Sequence, residues 1–213
     1  MKTDDLIAML AAGLEPVDSR QCARRYGIAI TAGLVGALLL LVPLLGVRPQ
    51  LASDAQLGMF WGKFGFVALL LAGGWSAAVR LSRPGSSLSW APAVIAAPVL
   101  VMWILAVVVL ITAAPGEHEQ LVFGDTWRSC PFNVAMLSVP AFAAAFWAMK
   151  GLAPTRLRLA GAAAGLSAGA AGALVYTIHC EELAPPFLGI WYLLGMLIPA
   201  AAGALLGPRL LRW

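Results

Sequence analysis

The sequence predicts an all-α, polytopic membrane protein with six transmembrane helices and with both termini in the cytoplasm. The first observation behind this prediction is composition, since 61% of the 213 residues are hydrophobic and only 11% are charged. Soluble domains contain about 25% charged residues. The mean hydropathy is accordingly high, at +0.87. This composition excludes a water-soluble globule and any enzyme with a sizeable soluble catalytic domain.

The second observation is a set of six charge-poor stretches, each close to the roughly 20 apolar residues that cross a bilayer as a helix. They run from Tyr26 to Val47, Gly58 to Val79, Ala91 to Ala113, Pro131 to Met149, Leu159 to Ile178 and Phe187 to Leu206. Lys63 lies within the second stretch, and we expect its ammonium group to snorkel to the membrane interface. The fifth stretch has Gly161, Gly165 and Gly169 four residues apart, which predicts a helix that packs closely against a neighbour.

The third observation is the distribution of basic residues. Of the fourteen Lys and Arg residues, only Arg48, Lys63 and Arg128 fall in segments on the side away from the termini. Because cytoplasmic loops hold the excess of basic residues, both termini are expected inside. The chain then divides into a cytoplasmic amphipathic segment at 1–25, a transmembrane bundle at 26–206 and a short cytoplasmic tail at 207–213. Basic residues scattered in this way are typical of topology signals and do not support direct binding of nucleic acid.

Two cysteines and both histidines of the chain map to the outer side. Cys130 lies at the outer end of the fourth predicted span and Cys180 at the outer end of the fifth. His118 and His179 lie in the same outer loops. A disulfide across these fifty residues would remove about 4 kcal/mol of unfolded-chain entropy. The same four side chains also form a set of two thiolates and two imidazoles that suits a thiophilic metal ion. Simple burial of structural cysteines, with solvated histidines, is the third interpretation.

Acidic residues flank these side chains in both outer loops. Glu117 and Glu119 accompany His118, whereas Glu181 and Glu182 follow Cys180. These carboxylates would attract cations without selecting one, and Glu181 is a further candidate metal ligand. They also predict that thiolate formation is disfavoured, so that neither cysteine is highly reactive at rest.

The amino-terminal segment has the pattern of a short amphipathic helix. Thr3 is placed as an N-cap, and acidic residues follow it, where they complement the positive end of a helix. A helix of about a dozen residues is marginal alone in water, so it is expected to order in the groove of a partner. The alternative is a segment whose apolar side rests on its own bundle. The residues predicted to contact a partner are Asp4, Asp5, Leu6, Ile7 and Leu10.

Three motifs give the chain a resemblance to a known family. They are Met1-Lys2-Thr3-Asp4-Asp5-Leu6-Ile7, Trp127-Arg128-Ser129-Cys130-Pro131, and His179-Cys180-Glu181 ahead of Pro185. Together with six spans, they resemble the NrsF family of bacterial inner-membrane anti-sigma factors. The resemblance implies a protein of the inner membrane that holds an extracytoplasmic-function (ECF) sigma factor inactive.

The resemblance also implies roles for particular residues. Cys130 and Cys180 would sense heavy-metal or oxidative stress, and the segment around Asp4 to Ile7 would engage the sigma factor. No catalytic residue and no permanent cofactor are expected. A thiophilic metal ion would bind only transiently, as the signal, and the partners would be the ECF sigma factor and the lipid bilayer.

Two other classes of protein stay open on the residues alone. A membrane thiol oxidoreductase linked to quinone would need a reactive thiol and usually a second cysteine pair, and neither is apparent. A metal or small-solute permease would need ionisable side chains at membrane depth, and Lys63 is the only one in the predicted spans.

Overall fold

The computed structural model describes residues 3, 5, 9, 21–83, 85–150, 152 and 154–212. Within these ranges the chain contains six helices that are long and apolar enough to cross a membrane, and no β-strand. They are Gln21–Leu44 (α1), Gly58–Leu81 (α2), Ala91–Thr112 (α3), Cys130–Met149 (α4), Leu157–Tyr176 (α5) and Pro185–Leu210 (α6). The predicted all-α fold class and the six helices of membrane-spanning length are confirmed, whereas the orientation of the termini stays a prediction.

Helix α1 begins and ends earlier than the hydropathy pattern predicts. Its end is set by Gly46, which has a φ of +80°. The N–H groups of Leu45 and Gly46 both bond to the carbonyl of Leu41, at 2.9 Å. A glycine in this left-handed conformation closes a helix, whereas the apolar run continues to Val47.

Helix α5 occupies the centre of the bundle. In its most apolar stretch of 18 residues, 78% of the residues are buried. It packs against α2, α4 and α6. A Cβ atom on Gly161 would overlap the carbonyl of Gly203, and one on Gly165 would overlap the carbonyl of Pro199. The glycine stripe therefore permits backbone contact between α5 and α6, and the predicted packing role is confirmed.

Helix α3 lies at the periphery of the bundle. In its most apolar stretch of 18 residues, only 17% of the residues are buried. It contacts α2 and the start of α6. Large apolar side chains such as Leu100, Ile104 and Ile111 cover its outer face. An apolar surface of this extent suits contact with lipid tails rather than water.

Three connections meet at one end of the bundle, which we call the cysteine end because Cys130 and Cys180 lie there. These are the loops between α1 and α2, between α3 and α4, and between α5 and α6. The chain passes between α2 and α3 and between α4 and α5 at the opposite end, where α1 also begins. At that opposite end the hydroxyl groups of Tyr26 and Ser82 are 3.1 Å apart, which ties the start of α1 to the end of α2.

Candidate functional site: a buried thiol pair

The cysteine end holds two thiols that come from different parts of the chain. Cys130 is the first residue of α4, and Cys180 lies four residues beyond the end of α5. Both are buried, at 0% and 2% exposure, and both are free. Their side chains are within hydrogen-bonding contact of each other. The structure thus brings the two predicted site residues together, while their sensory role stays a prediction.

The loop that carries Cys180 is held by the loop between α1 and α2. The N–H of Cys180 bonds to the carbonyl of Tyr176 at 3.0 Å, which continues the last turn of α5. The N–H of Arg48 bonds to the carbonyl of Ile178 at 3.3 Å. The ring nitrogen Nδ1 of His179 lies 3.1 Å from the carbonyl of Gly46. These contacts fix the position of the Cys180 backbone relative to α1.

Lys63 does not snorkel to the interface, so that prediction is wrong. Its side chain is 0% exposed and points into the bundle from the second turn of α2. The ammonium group donates to the carbonyls of Cys180, at 2.8 Å, and Glu182, at 3.0 Å. It also lies 4.7 Å from the centroid of the Tyr192 ring, a cation–π distance. Polar main-chain atoms inside the cysteine end give Lys63 partners that the lipid interface would otherwise supply.

Arg48 is the second buried cation of the site. One guanidinium nitrogen donates to the Cys180 carbonyl at 2.8 Å and lies 3.1 Å from the carboxylate of Asp54. Among the described residues this is the only ion pair, so the charge of Lys63 has no carboxylate partner there. An unpaired buried charge is costly. The charge of Lys63 is therefore available to stabilise negative charge on a neighbouring group.

A cleft of about 450 Å³ opens over the site. Its walls come from the three loops and include Arg48, Asp125, His179, Cys180 and Glu182, whereas Cys130 is not part of the lining. Of the two cysteines, Cys180 is therefore the one that borders the cleft.

Glu182 joins the loop between α5 and α6 to the loop between α3 and α4. Its carboxylate accepts hydrogen bonds from the N–H of Asp125, at 2.8 Å, and from the hydroxyl of Thr126, at 3.4 Å. Gly124, with a φ of +53°, makes room for this contact, because a Cβ atom there would lie 2.5 Å from the carboxylate. Cys130 begins α4 four residues after Thr126, and its N–H bonds to the Thr126 carbonyl at 2.9 Å, so this junction also positions the second thiol.

Helix α6 begins with an irregular turn that contributes to the site. Leu188–Tyr192 form a π-helical turn, a feature found often at functional sites. Its two aromatic residues have different partners. Trp191 donates from its ring nitrogen to the carbonyl of Val122 at 2.8 Å. Tyr192 lies against Lys63, and its buried hydroxyl faces the Cys180 thiol without completing a hydrogen bond to any described residue.

The histidines are not assembled with the thiols into a metal site. Across the described ranges, no three His, Cys, Asp or Glu side chains form a cluster that could hold a metal ion. His179 and Glu181 line the cleft beside Cys180, whereas His118 lies at the start of the short helix His118–Phe123 and outside that lining. Metal binding by His118, His179 and Glu181 stays a prediction.

The electrostatics of Cys180 differ from the sequence prediction. Acidic neighbours were expected to disfavour the thiolate, and for Cys180 this is wrong. The hydrogen bond from Cys130 lowers the pKa of the Cys180 thiol below its ordinary value, and the Lys63 ammonium acts in the same direction against the cost of burial. Sequence analysis did not identify Lys63 and Arg48 as parts of the site. The available signal was their position, since both are basic residues on the side of the chain where basic residues are rare.

Only one of the predicted partner-binding residues, Asp5, belongs to the part of the chain that the structure describes. Asp4, Leu6, Ile7 and Leu10 are outside the described residues, so their proposed role stays a prediction. Asp5 is described, has a helical backbone and is exposed. Met9 likewise has a helical backbone and is 65% exposed.

The fold and the site together define a polytopic α-helical membrane protein with a buried thiol pair beneath the loops of one end. Residues 10–213 match the family described as NrsF, negative regulator of sigma F. The chain is 58% identical to a probable anti-sigma-F factor NrsF of Azospira oryzae and 40% identical to an anti-sigma-F factor NrsF of Caulobacter vibrioides. Each match covers 100% of both chains. The chain belongs to the NrsF family, and the predicted resemblance is confirmed.

No solved structure matches this chain.

Proposed function

We propose that this protein is a membrane-bound anti-sigma factor. It holds an ECF sigma factor inactive through its amino-terminal segment and releases it when Cys130 and Cys180 react with a heavy-metal ion or an oxidant. Membership of a family of negative regulators of sigma F supports the first half of this proposal. The observation that carries the second half is the contact between two free thiols beneath an open cleft.

The proposal requires the two ends of the bundle to face different compartments of a bacterial cell. The cysteine end faces the periplasm across the inner membrane, and the opposite end faces the cytoplasm, where sigma factors act. The distribution of basic residues supports this orientation, since only three of fourteen lie on the cysteine side.

Helix α2 offers a physical connection between the two ends. Near its start, Lys63 binds the loop of Cys180, and just beyond its end Ser82 contacts Tyr26 of α1. Helix α1 follows directly on the amino-terminal segment. We infer that reaction of the thiols moves the Cys180 loop, that α2 moves with it, and that α1 then changes the presentation of the sigma-binding segment.

Formation of a disulfide or of a metal–thiolate site can supply most of the free energy that such a switch requires. Driving a two-state protein from 1:99 to 99:1 takes about 5.5 kcal/mol of preference for one state. A disulfide that closes a loop of this length supplies about 4 kcal/mol in the chain-entropy description, before any strain or contact is counted. A metal ion held by two thiolates is a comparable source.

The test is to copurify the sigma factor with the full-length protein from membranes, before and after treatment with cadmium or a peroxide. We expect treatment to reduce the amount of bound sigma factor and Cys130→Ser or Cys180→Ser to abolish that response. The matched control is Cys22→Ser, which removes the third cysteine and should leave the response unchanged. An unaltered response in both Cys130→Ser and Cys180→Ser would reject the sensory role.

A further inference from the structure

The two thiols of the pair have unequal surroundings. Cys180 lies at the wall of the cleft, whereas Cys130 is completely buried and outside the lining. Lys63 and Arg48 both donate to the carbonyl of Cys180. Of the two cysteines, Cys180 is therefore the one that borders the cleft, and its carbonyl is held by two cations.

The charge of Lys63 is the part of this arrangement that needs an explanation. Its ammonium group is fully buried, and its hydrogen-bond partners are two neutral carbonyls. No carboxylate among the described residues lies within ion-pair distance of it. A buried cation normally has an anionic partner. Of the two thiols, that of Cys180 has the stronger electrostatic interaction with Lys63. A nearby lysine is one of the features that favour a thiolate.

We propose that Cys180 is the thiol that reacts first with an incoming electrophile, that Lys63 is the positioning residue that holds it as a thiolate at the cleft, and that Cys130 is the second thiol. This inference deepens the proposed sensory function and rests on it for its biological meaning. Its chemistry is independent of any sigma factor.

Hydrogen peroxide as the oxidant converts the two thiols to a disulfide in two steps. The Cys180 thiolate attacks one peroxide oxygen, the O–O bond breaks, and the leaving hydroxide takes a proton to become water. Cys180 is then a sulfenic acid. The Cys130 sulfur attacks the Cys180 sulfur, the S–O bond breaks, and the hydroxyl leaves as water with the Cys130 proton. Two thiols and one peroxide thus give one disulfide and two waters.

Several ionisable groups surround Cys180 and must be considered in a pH-dependent test. Each packed element supplies at least one. They are Lys63 from α2, Cys130 from α4, Tyr176 from α5, Tyr192 from α6, Arg48 from the loop between α1 and α2, Asp125 from the loop between α3 and α4, and His179, Glu181 and Glu182 from its own loop.

The first experiment measures alkylation of the full-length Cys22→Ser protein in detergent by limiting iodoacetamide, with the modified cysteine located by peptide mass spectrometry. At pH 7 we expect Cys180 to react at least about tenfold faster than Cys130, as the thiolate fraction differs between them. This comparison needs no change to the site, so a folding defect cannot obscure it. Equal rates, or faster reaction of Cys130, would overturn the assignment.

The second experiment tests Lys63 with paired variants over pH 6 to 9.5. Lys63→Gln keeps hydrogen-bond donors for the two carbonyls but removes the charge, so the alkylation rate of Cys180 at pH 7 should fall about tenfold, with its midpoint moved to higher pH. Lys63→Arg should retain the original pH profile. Lys150→Gln, which removes a lysine at the opposite end, is the matched control. An unchanged profile in Lys63→Gln would refute the role of the charge.

The order of oxidation is tested with hydrogen peroxide and dimedone, which traps sulfenic acids. In Cys130→Ser the label should accumulate on Cys180, whereas in Cys180→Ser Cys130 should stay unlabelled at the same dose. Label on Cys130 would contradict the proposal. These readouts do not involve a sigma factor, so failure of sigma release with an intact Cys180 profile rejects only the proposed function.

Discussion

The ammonium nitrogen of Lys63 lies 2.8 Å from the carbonyl oxygen of Cys180, although 117 positions separate the two residues in sequence. The contact is made to the main chain and therefore does not depend on the side chain at position 180. Replacing the thiol by a hydroxyl, as in Cys180→Ser, should leave the loop bound to Lys63 and Arg48. That variant separates the chemistry of the site from its folding.

A pH dependence of stability follows from the lowered pKa of Cys180. Between the folded-state pKa and the ordinary value near 8.5, the unfolded chain binds more protons than the folded chain, so stability rises with pH. The contribution is complete above about pH 8.5 and is lost as pH falls through the folded-state value. The melting temperature of the Cys22→Ser protein in detergent should therefore rise with pH more steeply than that of Cys22→Ser/Cys180→Ser. Parallel curves would show that Cys180 does not titrate as described.

The close contact between α5 and α6 predicts that a larger side chain at this contact lowers the thermal stability of the protein. In Gly161→Ala the new methyl group meets the carbonyl of Gly203 at a backbone contact that cannot relax by moving a side chain. Overpacking of this kind costs about 1–3 kcal/mol. Gly65→Ala is the matched control, since Gly65 is also helical but an added Cβ atom there would meet no described residue within 4 Å beyond its own stretch of helix. Size-exclusion chromatography after heating in detergent should show a lower melting temperature for Gly161→Ala alone.

The helical framework could be predicted from sequence because it depends on local properties. Each span is a run of apolar residues, and the glycine spacing at 161, 165 and 169 indicated the close packing face. The alternating direction of consecutive spans also placed Cys130 and Cys180 at the same end of the bundle, whereas their contact came only from the structure. The deviation at the end of α1 came from one glycine with a positive φ, which a hydropathy average does not detect.

The environment of the thiols could not be predicted because it depends on long-range contacts. Arg48, Lys63 and Cys180 lie on three separate segments and meet only when the bundle has formed. Sequence proximity favoured Glu181 and Glu182 as the dominant charges. In the structure the Glu182 carboxylate is bonded to Asp125 and Thr126, while Lys63 is inside the site. The acidic residues next to Cys180 in sequence therefore predicted a raised pKa for its thiol, whereas the structure lowers that pKa.

The residue pattern of the amino-terminal segment predicts that binding of the sigma factor can be lost while insertion into the membrane is kept. Leu6, Ile7 and Leu10 share one side of a helix by spacing, so Leu6→Asp together with Ile7→Asp should release the sigma factor while the bundle still inserts. Ala12→Asp places the same charge on the opposite side of that helix and should leave binding unchanged. Copurification from membranes measures both outcomes. Sigma factor retained by the double variant would exclude binding through this apolar stripe.

The contact between Tyr26 and Ser82 provides the most direct test of communication along α2. Tyr26 is fully buried, and its hydroxyl lies 3.1 Å from the Ser82 hydroxyl, which itself donates to the carbonyl of Ala78 at 2.8 Å. Tyr26→Phe keeps the ring and removes the bond, at a cost of about 0.5–1.5 kcal/mol.

Because Lys63 and the thiols are untouched in Tyr26→Phe, the alkylation rate of Cys180 should be unchanged. Binding of the sigma factor before treatment should also persist, but less of it should be released at a given dose of peroxide. Thr31→Val, which removes an exposed hydroxyl that donates to the carbonyl of Gly27 within α1, serves for comparison. If Tyr26→Phe releases the sigma factor with the normal dose response, the signal does not pass through this contact between α1 and α2.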